Sequence, residues 1–219
     1  MSNLVYFVRH GQNLANITHQ FSYKKVDYSL TELGVRQAQL TAQRFAGQPI
    51  DEIYASPLKR AVETAEIIAT GVNHLPVQIM EEFREINVGS LEGRPVSDEN
   101  WALHDEILNE WVQGRHERPF PDGENYYGLR DRMLRGLQQV LSGKDNRRVI
   151  IVAHIAIVAL TLKDTTGVSK GLVEMRQMRN CAVTEVEFPD MNGRFAPGRL
   201  LRYADMDHLA PLADQSLVK

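Results

Sequence analysis

Four side chains stand where a ligand would meet the chain. Arg9 and His10 directly follow the apolar run "NLVYFV" (3–8), His154 directly follows "RVIIVA" (148–153), and Arg60 lies near the start of "SPLKRAVETAEIIAT". A guanidinium holds an anion through charge-assisted, often bidentate hydrogen bonds. An imidazole, with an ordinary pKa of about 6.5, is partly neutral near pH 7 and can act as a nucleophile. Taken singly, each residue has a plainer reading. A histidine at a strand end is most often packed or solvated, and an arginine on a helix is most often solvated. Two arginines and two histidines at three comparable junctions point instead to an anion site with a nucleophile in it.

The elements that must position them follow from pattern. "NLVYFV" and "RVIIVA" are short, continuous and rich in β-branched and aromatic residues, as in strands buried on both faces of a parallel sheet. "IDEIYAS" (50–56) reads as a third strand and "VQIM" (77–80) as a fourth. A helix is expected from about Thr31 to Ala46, with Val35, Ala38, Ala42 and Phe45 as its apolar stripe and Ser29 or Thr31 as its cap. Another is expected to open with Ser56 as N-cap and Pro57 at its first position, burying Leu58, Val62, Ala65 and Ile68. Helical side chains lean toward the N-terminus, so Arg60 should point back over the sheet edge. Open α/β sheets bind ligands outside the carboxyl ends of their strands. "IAIVALTLKDTTG" (155–167) is apolar nearly all round and reads as one central helix.

Residues 93 to 123 are polar, bracketed by Gly and Pro, and carry both tryptophans. They read as a cap insertion containing a helix from about Asp98 to Trp111. Helical pattern returns over 124–142, and "AVTEVEF" and "GRLLRYAD" alternate like two antiparallel strands. The tail beyond Leu209 reads as a mobile end. The fold expected is α/β: one domain over 1–219, a three-layer αβα sandwich with a mostly parallel central sheet and a small helical cap insertion.

Composition narrows the function classes. The chain has 219 residues, 43% hydrophobic and 24% charged, as an ordinary globular protein does. A net charge of −3 gives no sign bias toward nucleic acid or an anionic membrane, so an anion site must be local. "DNRR" (145–148) is too short for a nucleic-acid footprint. One cysteine, Cys181, allows no internal disulfide. No apolar run is long enough to span a bilayer and no leader is evident, so the expected location is cytoplasmic. No GxxxxGK[ST] or GxGxxG phosphate loop occurs, and the histidines and acids of 104–117 lack metal-ligand spacing.

The ordered blocks "RHG", "LTELGVRQA" (30–38), "SPLKRAVETA" (56–65), "EINVGSLEG" (85–93), "PDGEN" (121–125) and "VIIVAH" (149–154) resemble the histidine phosphatase superfamily, the phosphoglycerate-mutase-like proteins. The resemblance runs from residue 3 to about 190. It implies that His10 is a nucleophile forming a phosphohistidine, and that Arg9, Arg60 and His154 cradle the phosphoryl oxygens. Asn16 stands where the family's "RHGxxxxN" asparagine donates to phosphate. The resemblance further implies that Glu85 protonates the leaving oxygen and then activates water, and that neither metal nor cofactor is required. Two positions depart from the pattern: Ile155 stands where a glycine usually follows the second histidine, and Asn13 replaces the common Ser or Thr, keeping a donor for phosphate.

Three functions fit. The first is metal-independent hydrolysis of a small phosphomonoester. The second is a phosphoglycerate mutase, although family mutases that use a bisphosphoglycerate cofactor carry a longer insertion and a "GERHYG"-like motif where this chain has "REINVG". The third is a weakly catalytic phospho-ligand binding module, which Ile155 keeps open. The cap offers Trp101, His104, Trp111, Arg115, His116 and Arg118 either to substrate or to the packing of the cap itself. The expected partner is a small phosphorylated substrate, not nucleic acid or a membrane.

Overall fold

The structure, a computed structural model, describes residues 2–191 and 195–215. In chain order its elements are β1 (Ser2–Arg9), α1 (Leu14–Thr18), α2 (Glu32–Phe45), β2 (Glu52–Ala55), α3 (Lys59–Gly71), β3 (Val77–Ile79), α4 (Asp98–Val112), α5 (Tyr126–Leu141), β4 (Arg148–Ala153), α6 (Ile155–Leu160), α7 (Leu162–Thr166), α8 (Leu172–Met175), β5 (Val183–Pro189) and β6 (Arg199–Asp205). The strands form one six-stranded sheet in the order β3-β2-β4-β1-β5-β6. β3, β2, β4 and β1 run parallel, and β5 is antiparallel to both of its neighbours.

The continuous apolar runs of β1 and β4 are explained by what covers them. Val5 and Phe7 of β1, with Val149 and Ile151 of β4, face Leu129, Met133 and Leu137 of α5 and Ile107 and Trp111 of α4. The alternate residues Tyr6, Val8, Ile150 and Val152 face Phe45 of α2 and Ala61, Ala65 and Ile68 of α3. Both faces are dry, so alternation of apolar and polar residues is not needed. The three layers and mostly parallel sheet expected from the sequence are present.

Local chemistry sets the helix ends. Thr31 caps α2 by accepting from the Gly34 N–H at 3.1 Å, Ser97 caps α4 by accepting from Asn100 at 3.2 Å, and Asn125 caps α5 by accepting from Gly128 at 3.0 Å. Ser56 does not cap a helix. α3 begins three residues later, and its Lys59 N–H donates to the Asp27 carboxylate at 3.0 Å. Pro57 disfavours helical geometry at the residue before it, which leaves Ser56 outside the helix.

The stretch 155–167 is two short helices rather than one. Thr161 bonds back to the Ile157 carbonyl, a contact that bends helices, and separates α6 from α7. Beyond Leu209 the chain continues a 3-10 segment, Asp207–Gln215, that packs on α2; the last four residues lie outside the described ones. Among the described residues no helix is long and apolar enough to cross a membrane.

A close approach locks the loop after β1. A Cβ on Gly34 would stand 2.1 Å from the Gln12 carbonyl oxygen, and one on Gly11 2.6 Å from the Gly34 carbonyl oxygen. Backbone meets backbone at both places, so neither can yield cheaply. Gly128 in α5 is exposed, and its nearest neighbours would be 3.6 Å from an added Cβ. Gly34→Ala is therefore expected to cost about 2 kcal/mol or more and lower the thermal midpoint by at least about 4 °C. Gly128→Ala should instead stabilise by about 0.5–1 kcal/mol. Thermal unfolding of the two variants checks both signs.

Candidate active site

The parallel strands β1, β2 and β4 end on one edge of the sheet, and the ladder runs on past their ends. His10 N–H donates to the Ala153 carbonyl at 3.0 Å, and Ser56 N–H to the Val152 carbonyl at 2.9 Å. These bonds set His10 and His154 side by side, with ring centroids 5.1 Å apart. Arg60, in the first turn of α3, reaches back over the edge and touches both rings, as the lean of helical side chains requires.

The partners of each imidazole fix its tautomer. Nδ1 of His10 lies 2.7 Å from the carbonyl oxygen of Gly11, which can only accept, so Nδ1 carries the proton. The lone pair is then on Nε2, which accepts from Arg60 Nε at 3.1 Å. In His154 the roles are reversed. Its Nδ1 accepts from Arg60 Nη2 at 3.2 Å, and its Nε2–H donates to Ser56 Oγ at 2.7 Å. Serine 56, misread as a helix cap, thus orients the second histidine.

Both imidazoles are buried beside fixed cations. Burial first, then the charges of Arg60 and Arg9, hold His10 well below the ordinary imidazole value, against the opposing bond to Gly11. Burial, then Arg60, does the same to His154. The guanidiniums are themselves lowered to about 10 by burial, with Glu85 as the largest opposing charge in each case, and so stay cationic near neutral pH. Arg60 gives two further N–H groups to Ser22, whose Oγ and carbonyl oxygen each accept at 2.9 Å. Arg9 donates Nη1 to the Met178 carbonyl at 2.7 Å, while its buried Nε has no partner.

Glu85 closes the site from the side of α6. One carboxylate oxygen accepts from the Ile86 N–H at 2.9 Å and the Ile157 N–H at 3.2 Å; the other lies 3.4 Å from the Ala156 N–H. The carboxylate therefore caps the helix that follows His154, whose own side chain makes no cap bond. Ile155, the first residue of α6, has no positive φ and packs against the core, so the backbone does not demand glycine there.

Asn13 and Asn16 cap α1 reciprocally, each side-chain oxygen accepting the other's N–H, at 3.2 and 3.1 Å. The buried Nδ2 of Asn13 has no partner. Among the described residues no group of three or more His, Cys, Asp or Glu could hold a metal ion.

Several residues that build the site carried no signal of their own. Glu92 is buried, and one of its oxygens accepts the N–H groups of Tyr23, Lys24, Lys25 and Val26 at 2.7, 2.6, 2.9 and 3.1 Å, shaping the loop that presents Ser22. Burial would raise the Glu92 carboxyl, and the four N–H bonds outweigh it and hold the group below its ordinary value. Arg132 of α5 donates to the carbonyls of Glu82, Arg84 and Glu85 and pairs with Glu124 at 2.9 Å. Glu124 also accepts from the Asn87 N–H at 2.7 Å. Asn180 donates to the His10 carbonyl at 3.0 Å and to Asn16 at 3.2 Å. The blocks "SLEG" and "PDGEN" mark the places of Glu92 and Glu124 without revealing their work.

The cap residues divide. Trp101 and His104 form an aromatic cluster with Phe21, the residue before Ser22, with centroids 4.4 to 5.2 Å apart. Trp111 is buried in the core, His116 stacks on Tyr126 at 3.9 Å, and Arg118 pairs with Glu106 and Glu110. These three secure the cap rather than line the site. Arg115 is exposed.

The depressed histidines give a sign for pH dependence. The unfolded chain takes up their protons near pH 6.5 while the folded protein does not, so their contribution is fully present above that pH and is lost as pH falls below it. NMR titration should find both rings neutral at pH 6.5, and the thermal midpoint should fall between pH 6.5 and 5. A ring found mostly protonated at pH 6.5 would contradict this arrangement.

Comparison with known proteins agrees with the geometry. The model of the histidine phosphatase superfamily (branch 1) matches residues 5–196. A probable phosphoglycerate mutase, GpmB, of Yersinia pestis (strain Pestoides F) is 32% identical over 186 residues, 85% of each chain. In fold, the chain is similar to YhfR of Bacillus stearothermophilus, with a TM-score of 0.76 at 23% identity over 94% of this chain and 99% of that one. It is similar also to a phosphoserine phosphatase of Entamoeba histolytica in complex with 3-phosphoglyceric acid, with a TM-score of 0.74 at 23% identity and the same coverage. With the family's model matching over nearly the whole chain, this protein belongs to the histidine phosphatase superfamily, as an enzyme of the phosphatase or mutase kind.

Proposed function

We propose that the protein is a metal-independent phosphatase that hydrolyses a small phosphomonoester through a phosphohistidine on His10. The observation that carries this reading is the tautomer of His10: Nδ1–H is spent on the Gly11 carbonyl, leaving the Nε2 lone pair among the side chains of Arg60 and His154. That lone pair attacks phosphorus as the bond to the leaving oxygen breaks. Glu85, a carboxylate at rest, passes the proton of the substrate monoanion to the leaving oxygen, then takes one from the water that splits the P–N bond and gives it up as phosphate leaves. Inorganic phosphate leaves and His10 returns to its starting form. The donors assigned to the phosphoryl oxygens are the guanidiniums of Arg9 and Arg60 and the amides of Asn13 and Asn16. His154 orients Arg60 from the other side. Preorganised donors of this kind need little rearrangement as charge develops. The segment 93–123 serves as a cap beside this edge.

A mutase reading is favoured by the 32% identity to a probable phosphoglycerate mutase. Hydrolysis is supported by "REINVG" in place of the mutase-like motif. The two differ in product: isomerised phosphoglycerate or free phosphate.

The test is phosphate release from p-nitrophenyl phosphate in EDTA. Wild type should be active, and His10→Ala should lose at least about a thousandfold. Retained turnover in that variant would exclude His10 as nucleophile. Glu85→Gln keeps an oxygen for the Ile157 N–H but cannot give or take the proton. It should lose roughly a hundred- to ten-thousandfold on alkyl phosphates and far less on aryl phosphates, whose leaving groups need little protonation. Equal losses would remove the acid–base assignment.

A further inference from the structure

Glu92 takes no part in the reaction steps proposed above, yet its contacts lead to Arg60. Its side chain is buried, and one carboxylate oxygen accepts the N–H groups of four consecutive residues, Tyr23 to Val26, at 2.6 to 3.1 Å. The caps at Thr31, Ser97 and Asn125 each satisfy one such group with a neutral oxygen. Burying a charge is costly, and here the four N–H bonds outweigh that cost. The turn is wrapped around the carboxylate, and without it four main-chain donors lose their partner together. The flanks are tied down separately: Arg84 donates to the Tyr23 carbonyl at 3.1 Å, and Asp27 accepts the Lys59 N–H at 3.0 Å. Loss of Glu92 would therefore loosen the turn without detaching the segment.

The turn ends on the guanidinium. Ser22 Oγ has one hydrogen, which it donates to the Val26 carbonyl across the turn. Its lone pairs are thereby left for Arg60 Nη1, and the Ser22 carbonyl takes Nη2, both at 2.9 Å. Gripped at these outer nitrogens, the planar group lies with Nε on His10 Nε2 at 3.1 Å and Nη2 on His154 Nδ1 at 3.2 Å. It cannot swing off the rings without breaking its bonds to Ser22. The charge of Glu92 also acts through space, with those of Glu85 and Asp27, to favour the cation that burial disfavours.

We propose that Glu92 is a positioning residue for the phosphoryl-transfer step: by holding the 22–26 turn on its carboxylate it fixes Ser22, and through Ser22 the orientation of Arg60 against the His10 nucleophile. This rests on the phosphohistidine reading above.

Histidine titration by NMR on the full-length protein reads the Arg60–His10 contact without turnover. In Glu92→Ala two effects have opposite signs. Removing a negative charge alone would lower the proton affinity of both imidazoles. Releasing Arg60 removes the cation that, after burial, most opposes their protonation, and so raises it. Arg9 and the Gly11 carbonyl, which also act on His10, and Arg132, which also acts on His154, are left in place. The expected result is a His10 midpoint moved up by at least about half a pH unit, toward the ordinary value of about 6.5. Glu92→Gln, which keeps an oxygen for the amides, should move it less. Ser22→Ala, which removes one Arg60 acceptor and leaves Glu92, should move it in the same direction. On p-nitrophenyl phosphate, Glu92→Ala should lower kcat about tenfold or more, as misplaced catalytic groups do. The acid limb of its kcat/KM profile should rise with the NMR midpoint. A merely structural role would reduce the folded fraction and leave the midpoint of the folded protein where it was. A His10 midpoint unchanged or lowered in folded Glu92→Ala overturns the proposal; should that variant not fold, an unmoved midpoint in Ser22→Ala does so. Absence of aryl phosphate hydrolysis by the wild type would count against the phosphohistidine reading, whereas the midpoints report on Glu92 in the resting protein.

Discussion

The site depends on one buried cation. Arg60 is almost wholly enclosed, and its contacts are neutral acceptors: two imidazole nitrogens, a serine hydroxyl and a backbone carbonyl. A buried guanidinium with its donors unfilled would cost several kcal/mol, so these acceptors are obligatory partners. The two imidazole nitrogens also cannot become donors toward it. If either imidazole gained a proton, it would present N–H to N–H and charge to charge. The guanidinium therefore enforces both the neutral state of the two histidines and the nitrogen that carries each lone pair. On the proposed mechanism, the group that clamps the substrate thus also readies the nucleophile.

Holding that cation requires a rigid edge, and the sheet supplies it. His10 and Ser56 extend the hydrogen-bond ladder one residue past β1 and β2, so both main chains are positioned by the same bonds that build the sheet. Gly11 and Gly34 press the loop after His10 against α2 at backbone contact distance, and Gly11 N–H is held by Thr64 of α3 at 2.9 Å. On the other flank, Gly89 and Gly123 interlock: a Cβ on Gly89 would lie 2.0 Å from the Pro121 carbonyl oxygen, and Gly89 has φ 55°. That contact joins the loop bearing Glu85 to the loop bearing Glu124, and Arg132 ties both to α5.

How much of this could be read in advance follows from the range of each interaction. The buried strands and helices α2, α4 and α5 announce themselves by local pattern: unbroken apolar runs, 3.6-residue stripes, and Thr31 at a helix start. Of the four residues singled out first, His10, Arg60 and His154 meet, because strand ends in a parallel sheet share an edge. What escaped was chemistry between residues far apart in sequence. Glu92 looks like any acid in a polar stretch, yet it folds a loop about 66–69 residues earlier. Ser56 before Pro57 has the sequence of a helix cap, and a histidine 98 residues later takes its hydroxyl instead. Thr161 broke an apolar stretch that hydropathy alone reads as continuous. In the cap, aromatic and charged residues look alike in sequence, and only packing separates Trp101 and His104 beside Phe21 from Trp111 within the core and His116 stacked on Tyr126.

The same comparison clarifies Ile155. A glycine at that position would suggest a backbone that must turn sharply or admit a ligand closely. Here the residue simply begins α6, and its side chain leaves the site for the core. The N–H groups of the next two residues face Glu85 rather than a phosphoryl oxygen. A carboxylate so placed is anchored by the helix it caps, and that helix begins at the residue after His154. The group assigned to move the proton and the histidine assigned to orient Arg60 are thereby set by one short element. Displacing α6 would disturb both at once, which makes the packing of its apolar face, Ile157, Val158 and Leu160, part of the geometry of the proposed site rather than a separate matter of stability.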